Sequence, residues 1–232
     1  MKQTKRNSKK LQPLLFFFIL TFPAMLWAQV IVKSDTCISE KAYKSYYSYK
    51  IEGPSFIVYK LYHGGGNVSR SKFKFSSPLP HFEYSHSGYD KGHMANAEDF
   101  AYNAELDEAT FRYYNALPQR PHLNRGCWKV QETKIREMSQ KDSLLIVCGG
   151  CDYTGLIPGR CFKVVYSLTT GKLVDAMIFT NTNDATGEDC PALTNLFPYK
   201  TAYQLYYRNL KKQITKSTAK TTHKKITHRK KR

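Results

Sequence analysis

The 232-residue chain lacks an apolar run long enough to cross a membrane. Its longest apolar stretch, residues 14–28, holds 15 residues and contains Pro23, whereas a spanning helix needs about 20. Five basic and no acidic residues occur in the segment up to Ala28. A basic head, a short apolar run and a small residue are typical of a secretory signal peptide. We expect residues 1–28 to be removed, giving a secreted or periplasmic protein without stable membrane association.

The sequence also lacks the ligands that would complete a zinc site. Cys148 and Cys151 have the spacing of half such a site or of a redox pair, but no second CxxC or neighbouring pair of histidines follows. An even number of cysteines behind an export signal favours structural disulfides over free buried thiols, and either over zinc or redox chemistry. The six cysteines are Cys37, Cys127, Cys148, Cys151, Cys161 and Cys190.

Acidic residues are absent from positions 208–232, which hold eleven basic ones. The formal charge of the chain is +18, and five of these charges lie in residues 1–28 and eleven in residues 208–232. Residues 29–207 therefore carry only +2 and are nearly neutral. We interpret residues 29–207 as one domain and residues 208–232 as a basic tail that we expect to be disordered. Such a tail commonly binds polyanions, although a solvated extension without a specific partner is the alternative.

No internal repeat and no regular alternation of strands with helices is present, which excludes a solenoid and favours an α+β fold. Glycines 64–66 lack the Gly-Lys-Ser/Thr of a phosphate-binding loop and are read as a connector. The patterns predict the following elements: a strand over 55–63, irregular or short strands over 73–80 and 82–87, a helix over about 123–139, a short strand over 144–147 ending near Gly149-Gly150, strands over 162–168 and 172–182 joined by a turn, and a final helix over 191–207 broken at Pro198.

Residues 85–100, SHSGYDKGHMANAEDF, are unusually polar for a segment inside a domain. A histidine that follows a glycine at the end of an extended segment, as His93 follows Gly92, can be held rigidly beside a cleft. Alone this signal is weak, because most histidines are structural or exposed.

A second polar set follows at residues 115–136, where Asn124, Trp128, Glu132 and Arg136 recur at every fourth position. That spacing predicts one face of one helix, which would present an amide oxygen, a carboxylate and a guanidinium in order. Oxygen ligands suit Mg²⁺ and a guanidinium suits a phosphate. An ordinary amphipathic helix with a surface ion pair is the simpler alternative.

The two segments together resemble the DNA/RNA non-specific endonucleases, which include endonuclease G and secreted bacterial nucleases with a ββα-metal finger. SGYDKGHMANAED, residues 87–99, is similar to the Asp-Arg-Gly-His signature of that family. NALPQRPHLNRGCWKVQE, residues 115–132, is similar to its Asn-x-x-Pro-Gln…Asn…Trp…Glu block. The resemblance covers roughly residues 55–207. It implies an α+β fold with an antiparallel sheet core and a ββα-metal finger active site.

By this resemblance, each polar residue acquires an expected role. His93 is the general base, and Asn124 binds Mg²⁺ directly while Glu132 acts through the water shell of the metal; Mn²⁺ or another divalent cation is an alternative. The remaining expected site residues are Arg70 and Arg136 on the scissile phosphate, Lys91 at the substrate, Asp90 as a shaping residue, and Asn115 and Gln119 as scaffold. Three positions depart from the family pattern: Lys91 replaces arginine, and Asn96 and Glu98 replace proline and alanine.

The expected activity is hydrolysis of DNA and RNA with little sequence preference, because contacts to the phosphate backbone carry no sequence information. A neutral imidazole can take a proton from water near neutral pH. The alternative is a catalytically weakened nuclease-like domain that binds nucleic acid. A third interpretation, a structural or adhesive surface protein, would explain the tail and the cysteines but not the polar helix face. A homodimer is compatible with either activity.

Overall fold

The computed structural model describes residues 31–208. The expected signal peptide and the expected basic tail, apart from Arg208, lie outside the described residues. Among residues 31–208, no helix combines the length and apolar character needed to cross a bilayer.

A seven-stranded antiparallel sheet forms the centre of the fold. Its strands lie in the order β1-β2-β3-β6-β7-β8-β9, so the step from β3 to β6 is the one that skips strands in the chain. The segment inserted at this step carries the polar residues singled out above. The strands are β1 (Thr36–Ser39), β2 (Tyr43–Ser48), β3 (Gly53–Leu61), β6 (Leu144–Thr154), β7 (Ile157–Ser167), β8 (Leu173–Thr180) and β9 (Gly187–Asp189).

Both faces of this sheet are covered, because successive side chains along β6 belong to two different core clusters. Leu144 and Ile146 belong to a core cluster shared with the inserted segment, while Leu145 and Val147 belong to a second cluster shared with the C-terminal helices. Successive side chains of a strand point to opposite faces, so a strand covered on both sides is apolar throughout. We call the first of these faces of the sheet the site face.

The inserted segment contains a short ribbon and three α-helices. Its strands β4 (Asp90–His93) and β5 (Ala116–Gln119) pair antiparallel, and its helices are α1 (Ala104–Ala109), α2 (Pro121–Arg125) and α3 (Cys127–Met138). The C-terminal helices α4 (Leu193–Leu196) and α5 (Tyr199–Tyr207) cover the other face of the sheet.

The α+β class and the antiparallel sheet are confirmed. The predicted strand over 55–63 corresponds to β3, and the predicted pair over 162–168 and 172–182 corresponds to β7 and β8. The break at Pro198 is also present, because Pro198 lies between α4 and α5. Strands β1 and β2 and helix α1 were not predicted; β2, with sequence YKSYYS, is buried at every position and so lacks an alternating pattern.

The predicted end of β6 near Gly149-Gly150 is wrong, since the strand continues through both glycines to Thr154. A Cβ atom at Gly149 would lie 2.5 Å from the Ser55 carbonyl oxygen and 3.0 Å from the Phe162 ring. These glycines therefore permit close packing within the sheet and do not end the strand.

The predicted structural disulfides are not seen within residues 31–208. Cys127, Cys148, Cys151, Cys161 and Cys190 form no disulfides with one another there. Cys148 and Cys161 pack in the core of the site face, and burial raises the pKa of each of these two thiols to about 12. They behave as small apolar side chains, and an even cysteine count carries no information about geometry.

Candidate active site

Two buried amide side chains, Asn115 and Gln119, pack against the ribbon of β4 and β5. Asn115 accepts a hydrogen bond from the Ala95 N–H at 2.9 Å and donates to the Ala95 and Thr110 carbonyls, also at 2.9 Å. Gln119 is fully buried against Gly92, where any Cβ atom would collide with it. The hydrogen bonds of Asn115 suit the scaffold role expected for it, and the packing of Gln119 explains the glycine that precedes His93.

His93, the last residue of β4, has an unusual environment for a polar side chain. The rings of Phe75 and Phe111 lie 4.9 and 5.0 Å from its imidazole, centroid to centroid. Its Nε2 atom is buried and has no hydrogen-bond partner among residues 31–208. Burial, together with the positive charge of Arg70, lowers the pKa of His93 to about 4. The imidazole is therefore neutral at neutral pH and keeps a lone pair on one ring nitrogen, while the lowered pKa makes it a weaker base than a free imidazole.

This pKa predicts how the free energy of unfolding depends on pH. The folded pKa of about 4 lies below the ordinary value of 6.5, so the unfolded chain binds more protons between these values. The contribution of His93 to stability is full above pH 6.5, falls as the pH drops to 4, and is constant below. We expect the loss to reach up to about 3 kcal/mol.

The measurement is denaturant unfolding at pH 7 and pH 4, with His93→Gln as the control that cannot titrate. The wild type should lose more stability than the variant over this interval, and equal losses would show that the imidazole is not buried.

Asn124, on α2, is joined to β4 through Asp90. Its side-chain nitrogen donates to the Asp90 carboxylate at 3.0 Å, which leaves the amide oxygen available to another group. Arg125 donates two further hydrogen bonds to Asp90, at 2.8 and 2.7 Å. These hydrogen bonds lower the pKa of Asp90 against the effect of burial. No hydrogen bond joins His93 to Asn124 in the described residues. The two are connected through β4, which begins at Asp90, the partner of Asn124, and ends at His93.

The prediction of one continuous helix over 123–139 is wrong. Helix α2 ends at Arg125 and α3 begins at Cys127, with Gly126 between them at φ −105° and ψ −116°. A Cβ atom at position 126 would collide with the His122 carbonyl oxygen. Asn124 therefore does not continue the face of α3 that carries Trp128, Glu132 and Arg136.

Glu132 lies on the buried face of α3 and is 6% exposed. Burial raises the pKa of this carboxyl to about 7, while the positive charge of Lys163 acts in the opposite direction. Its Oε1 atom is buried and has no hydrogen-bond partner within the described part of the chain. In that part, no group of three or more His, Cys, Asp or Glu side chains is placed to hold a metal ion.

The two expected phosphate-binding arginines are already engaged by carboxylates. Arg70 donates from Nε to Asp107 at 2.8 Å and from a terminal nitrogen to Glu98 at 2.7 Å. Arg136 donates from Nε to the buried Asp99 at 3.1 Å. The carboxylates fix the direction of each guanidinium, and each retains N–H groups for a phosphate.

Lys91 is exposed on β4, and its ammonium lies 5.7 Å from the ring centres of both Phe75 and Tyr84. Phe75 also contacts the His93 ring, so Lys91 and His93 share one side of the ribbon. A cation at this position would attract a phosphate backbone.

Four site residues were not predicted from the sequence. Arg125 holds Asp90, Asp107 holds Arg70, and Asp99 holds Arg136 and accepts from Tyr59. Lys163, on β7, places its ammonium 3.6 Å from the Glu132 carboxylate. The proximity of Arg125 to Asn124 in sequence was a usable signal, whereas the other three contacts join distant parts of the chain.

The fold matches that of solved nuclease structures. The chain is similar to a chain in the crystal structure of the EndoG/EndoGI complex, with a TM-score of 0.56 and 20% identity, over 68% of this chain and 82% of that one. The mixed fold with its antiparallel sheet and short ribbon is therefore that of the ββα-metal nucleases.

The family follows from the sequence. Residues 29–202 match the model of the DNA/RNA non-specific endonuclease family, which is three quarters of the chain. The chain belongs to this family, and the resemblance inferred from the two polar segments is confirmed.

Curated relatives match over shorter segments. The chain is 45% identical to a nuclease of Nostoc sp. over 67 residues, which are 28% of this chain and 24% of that protein. It is 28% identical to mitochondrial endonuclease G of Bos taurus over 122 residues, which are 48% of this chain and 41% of that protein. The chain thus spans less than half the length of these relatives.

Proposed function

We propose that the protein is a secreted, metal-dependent endonuclease that hydrolyses the phosphodiester bonds of DNA and RNA with little sequence preference. The observation that carries this proposal is the arrangement on β4. The strand ends at an imidazole whose Nε2 atom is buried without a hydrogen-bond partner in the described residues, and it begins at the carboxylate that holds Asn124. Membership of a family of hydrolytic nucleases supports the same reaction class.

The oxygen atoms at the site fit a hard divalent cation. Asp90 occupies the nitrogen of the Asn124 amide and leaves its oxygen available. The buried Oε1 of Glu132 has no hydrogen bond in the described residues and lies 3.6 Å from the Lys163 ammonium. Mg²⁺ prefers oxygen ligands, keeps most of its waters and needs few protein ligands. Asn124 would hold the ion directly and Glu132 would hold it through water; Mn²⁺ or another divalent cation is an alternative.

The remaining side chains act on the water and on the phosphate. The neutral imidazole of His93 takes a proton from the water that attacks phosphorus. The free N–H groups of Arg70 and Arg136 bind the scissile phosphate, and Lys91 attracts the backbone. When bound, the cation offsets the charge that builds on the phosphate and on the leaving oxygen. All these contacts involve the backbone, so little base preference follows.

The location and partners of the protein are part of the proposal. Residues 1–28 have the pattern of a secretory signal, and the basic residues 208–232 would raise the affinity for DNA and RNA in a salt-dependent way. A homodimer is compatible with this function.

The carboxylate of Glu98 should limit the affinity for substrate. It binds the Arg70 guanidinium at 2.7 Å, where a phosphate would bind, and its side chain is 43% exposed. Removing its negative charge should lower the repulsion toward the phosphate. In Glu98→Gln we expect the KM for DNA at low salt to fall about two- to fivefold with kcat nearly unchanged, as for a group that acts on binding alone.

Glu105→Gln serves as the matched control, because it removes an exposed carboxylate on α1 that pairs with Lys41 instead. Steady-state kinetics on a short duplex at two salt concentrations measures both variants. If the KM rises in Glu98→Gln, the carboxylate holds Arg70 in position and does not compete with the phosphate.

The same contacts give the second candidate function its support. Carboxylates bind both Arg70 and Arg136, which would favour a weakened domain that binds nucleic acid without cutting it. Incubation of the purified protein with plasmid and total RNA, in Mg²⁺ or in EDTA, separates the two functions. Cleavage of both substrates in Mg²⁺ and none in EDTA is the expected result, and binding without cleavage would establish the alternative.

A further inference from the structure

Lys163 is a buried cation at a position where the sheet otherwise places core residues. It lies on β7 and is 1% exposed. Its neighbours on the same face of the strand, Cys161 and Val165, both belong to the core cluster of the site face. A buried ammonium is costly unless an opposite charge compensates it, so its position calls for a specific partner.

The surroundings of the ammonium identify that partner. The Lys163 Nζ atom lies 3.6 Å from Oε1 of Glu132 and 4.1 Å from the centre of the Trp128 ring. Within residues 31–208, neither Nζ nor Oε1 has a hydrogen bond. The nearby buried carboxylate of Asp99 is already bound by Arg136 and by the Tyr59 hydroxyl. Lys163 is therefore the counter-charge of Glu132.

Trp128 connects this pair to the general base. Its indole Nε1 donates to the carbonyl oxygen of His93 at 3.3 Å, while its ring face receives the Lys163 ammonium. A cation on the face of an indole is attracted by the negative charge of the ring. The ammonium thus touches the side chain that holds β4 as well as the carboxylate of Glu132.

We propose that Lys163 is a positioning residue for the metal site. From the sheet behind α3, its charge holds the Glu132 carboxylate in the direction needed to bind metal-coordinated water. This inference rests on the proposed metal-dependent function. Residues that orient a metal-binding group from behind typically change metal affinity by about 10- to 100-fold when they are removed.

The test compares Lys163→Met with Glu132→Gln and with the double variant. Methionine keeps the length of the side chain and removes the charge. Calorimetric titration with Mg²⁺ or Mn²⁺, without nucleic acid, gives the metal affinity, and single-turnover cleavage gives the rate. Lys134→Met is the matched control, because Lys134 lies on α3 and pairs with Asp175 at the surface.

Lys163→Met should lower the metal affinity about tenfold or more in the wild-type background. In the Glu132→Gln background, the same change should have no further effect on affinity, because the group on which Lys163 acts is gone. An affinity within twofold of the wild type, or an equal loss in both backgrounds, would overturn the proposal.

Folding of the variants is checked by thermal unfolding in EDTA. Lys163→Met leaves the Glu132 carboxylate buried without its counter-charge and can unfold, whereas the double variant removes both charges. In that event Lys163→Gln, which also removes the charge but keeps a hydrogen-bond donor for Oε1, replaces Lys163→Met: a metal affinity lowered about tenfold supports the proposal, and an affinity within twofold of the wild type contradicts it. A wild-type protein that neither binds metal nor cleaves nucleic acid would contradict the proposed function. If the wild type binds metal and cleaves, and Lys163→Met has the same metal affinity, only the role of Lys163 is contradicted.

Discussion

His93→Ala should reduce the rate of plasmid cleavage about 10²- to 10⁴-fold, the range for loss of a positioned general base. The imidazole is neutral at neutral pH, its Nε2 is buried without a hydrogen bond in the described residues, and the rings of Phe75 and Phe111 lie beside it. Loss of the ring removes no hydrogen bond of Nε2 from the fold within residues 31–208. The affinity for nucleic acid should remain within about twofold, because the variant keeps the phosphate contacts that we propose for Arg70, Arg136 and Lys91.

Single-turnover cleavage and fluorescence anisotropy in EDTA measure these two quantities separately. His86→Asn is the matched control: His86 is exposed in the same polar segment, and asparagine tolerates its φ of 54°. A His93→Ala protein that cuts at nearly the wild-type rate would mean that another group takes the proton.

Asn124→Ala should weaken metal binding and slow cleavage strongly. The amide oxygen is the one direct protein ligand that we propose, and alanine removes it without adding a charge. It also leaves Asp90 with Arg125 as its partner, so β4 keeps one of its two connections to α2. We expect a loss of metal affinity of at least about 10-fold and a loss of rate of at least about 10²-fold.

Calorimetric titration with Mn²⁺ and single-turnover cleavage over a range of Mg²⁺ concentrations measure the two effects. The control is Asn195→Ala on α4, an exposed amide whose helix covers the other face of the sheet. If high Mg²⁺ concentrations restore the full rate in Asn124→Ala, the amide contributes to affinity but is not required for the reaction. Unchanged metal affinity would place the ion at other ligands.

The sequence predicted the family better than the geometry of the proposed site. His93, Asn124, Glu132 and the two arginines carry recognisable chemistry at family spacing, and the family is confirmed. The prediction that Asn124 and Glu132 share one helix face was wrong, because the four-residue periodicity treats residues 124–136 as one continuous helix. The steric requirement at Gly126, where only a glycine fits against the His122 carbonyl, depends on the folded chain.

The charges that support the site could not be predicted from local pattern. Lys163 lies in a strand whose sequence suggests an ordinary two-sided sheet, and its partner Glu132 is 31 positions away in the chain. Asp107 and Arg70 are likewise separated by 37 positions. Contacts of this kind depend on the tertiary fold, so periodicity and composition carry no signal for them.

The most direct test of the proposed site is a crystal structure of the wild-type protein with Mn²⁺ and a short DNA duplex. The proposed site predicts anomalous density within about 2.2 Å of the Asn124 amide oxygen. It also predicts a water between the His93 imidazole and the phosphorus, within about 3.2 Å of a ring nitrogen. Manganese bound elsewhere, or an imidazole out of reach of any water beside the scissile phosphate, would contradict the claim that β4 brings the base and the metal ligand to one phosphodiester.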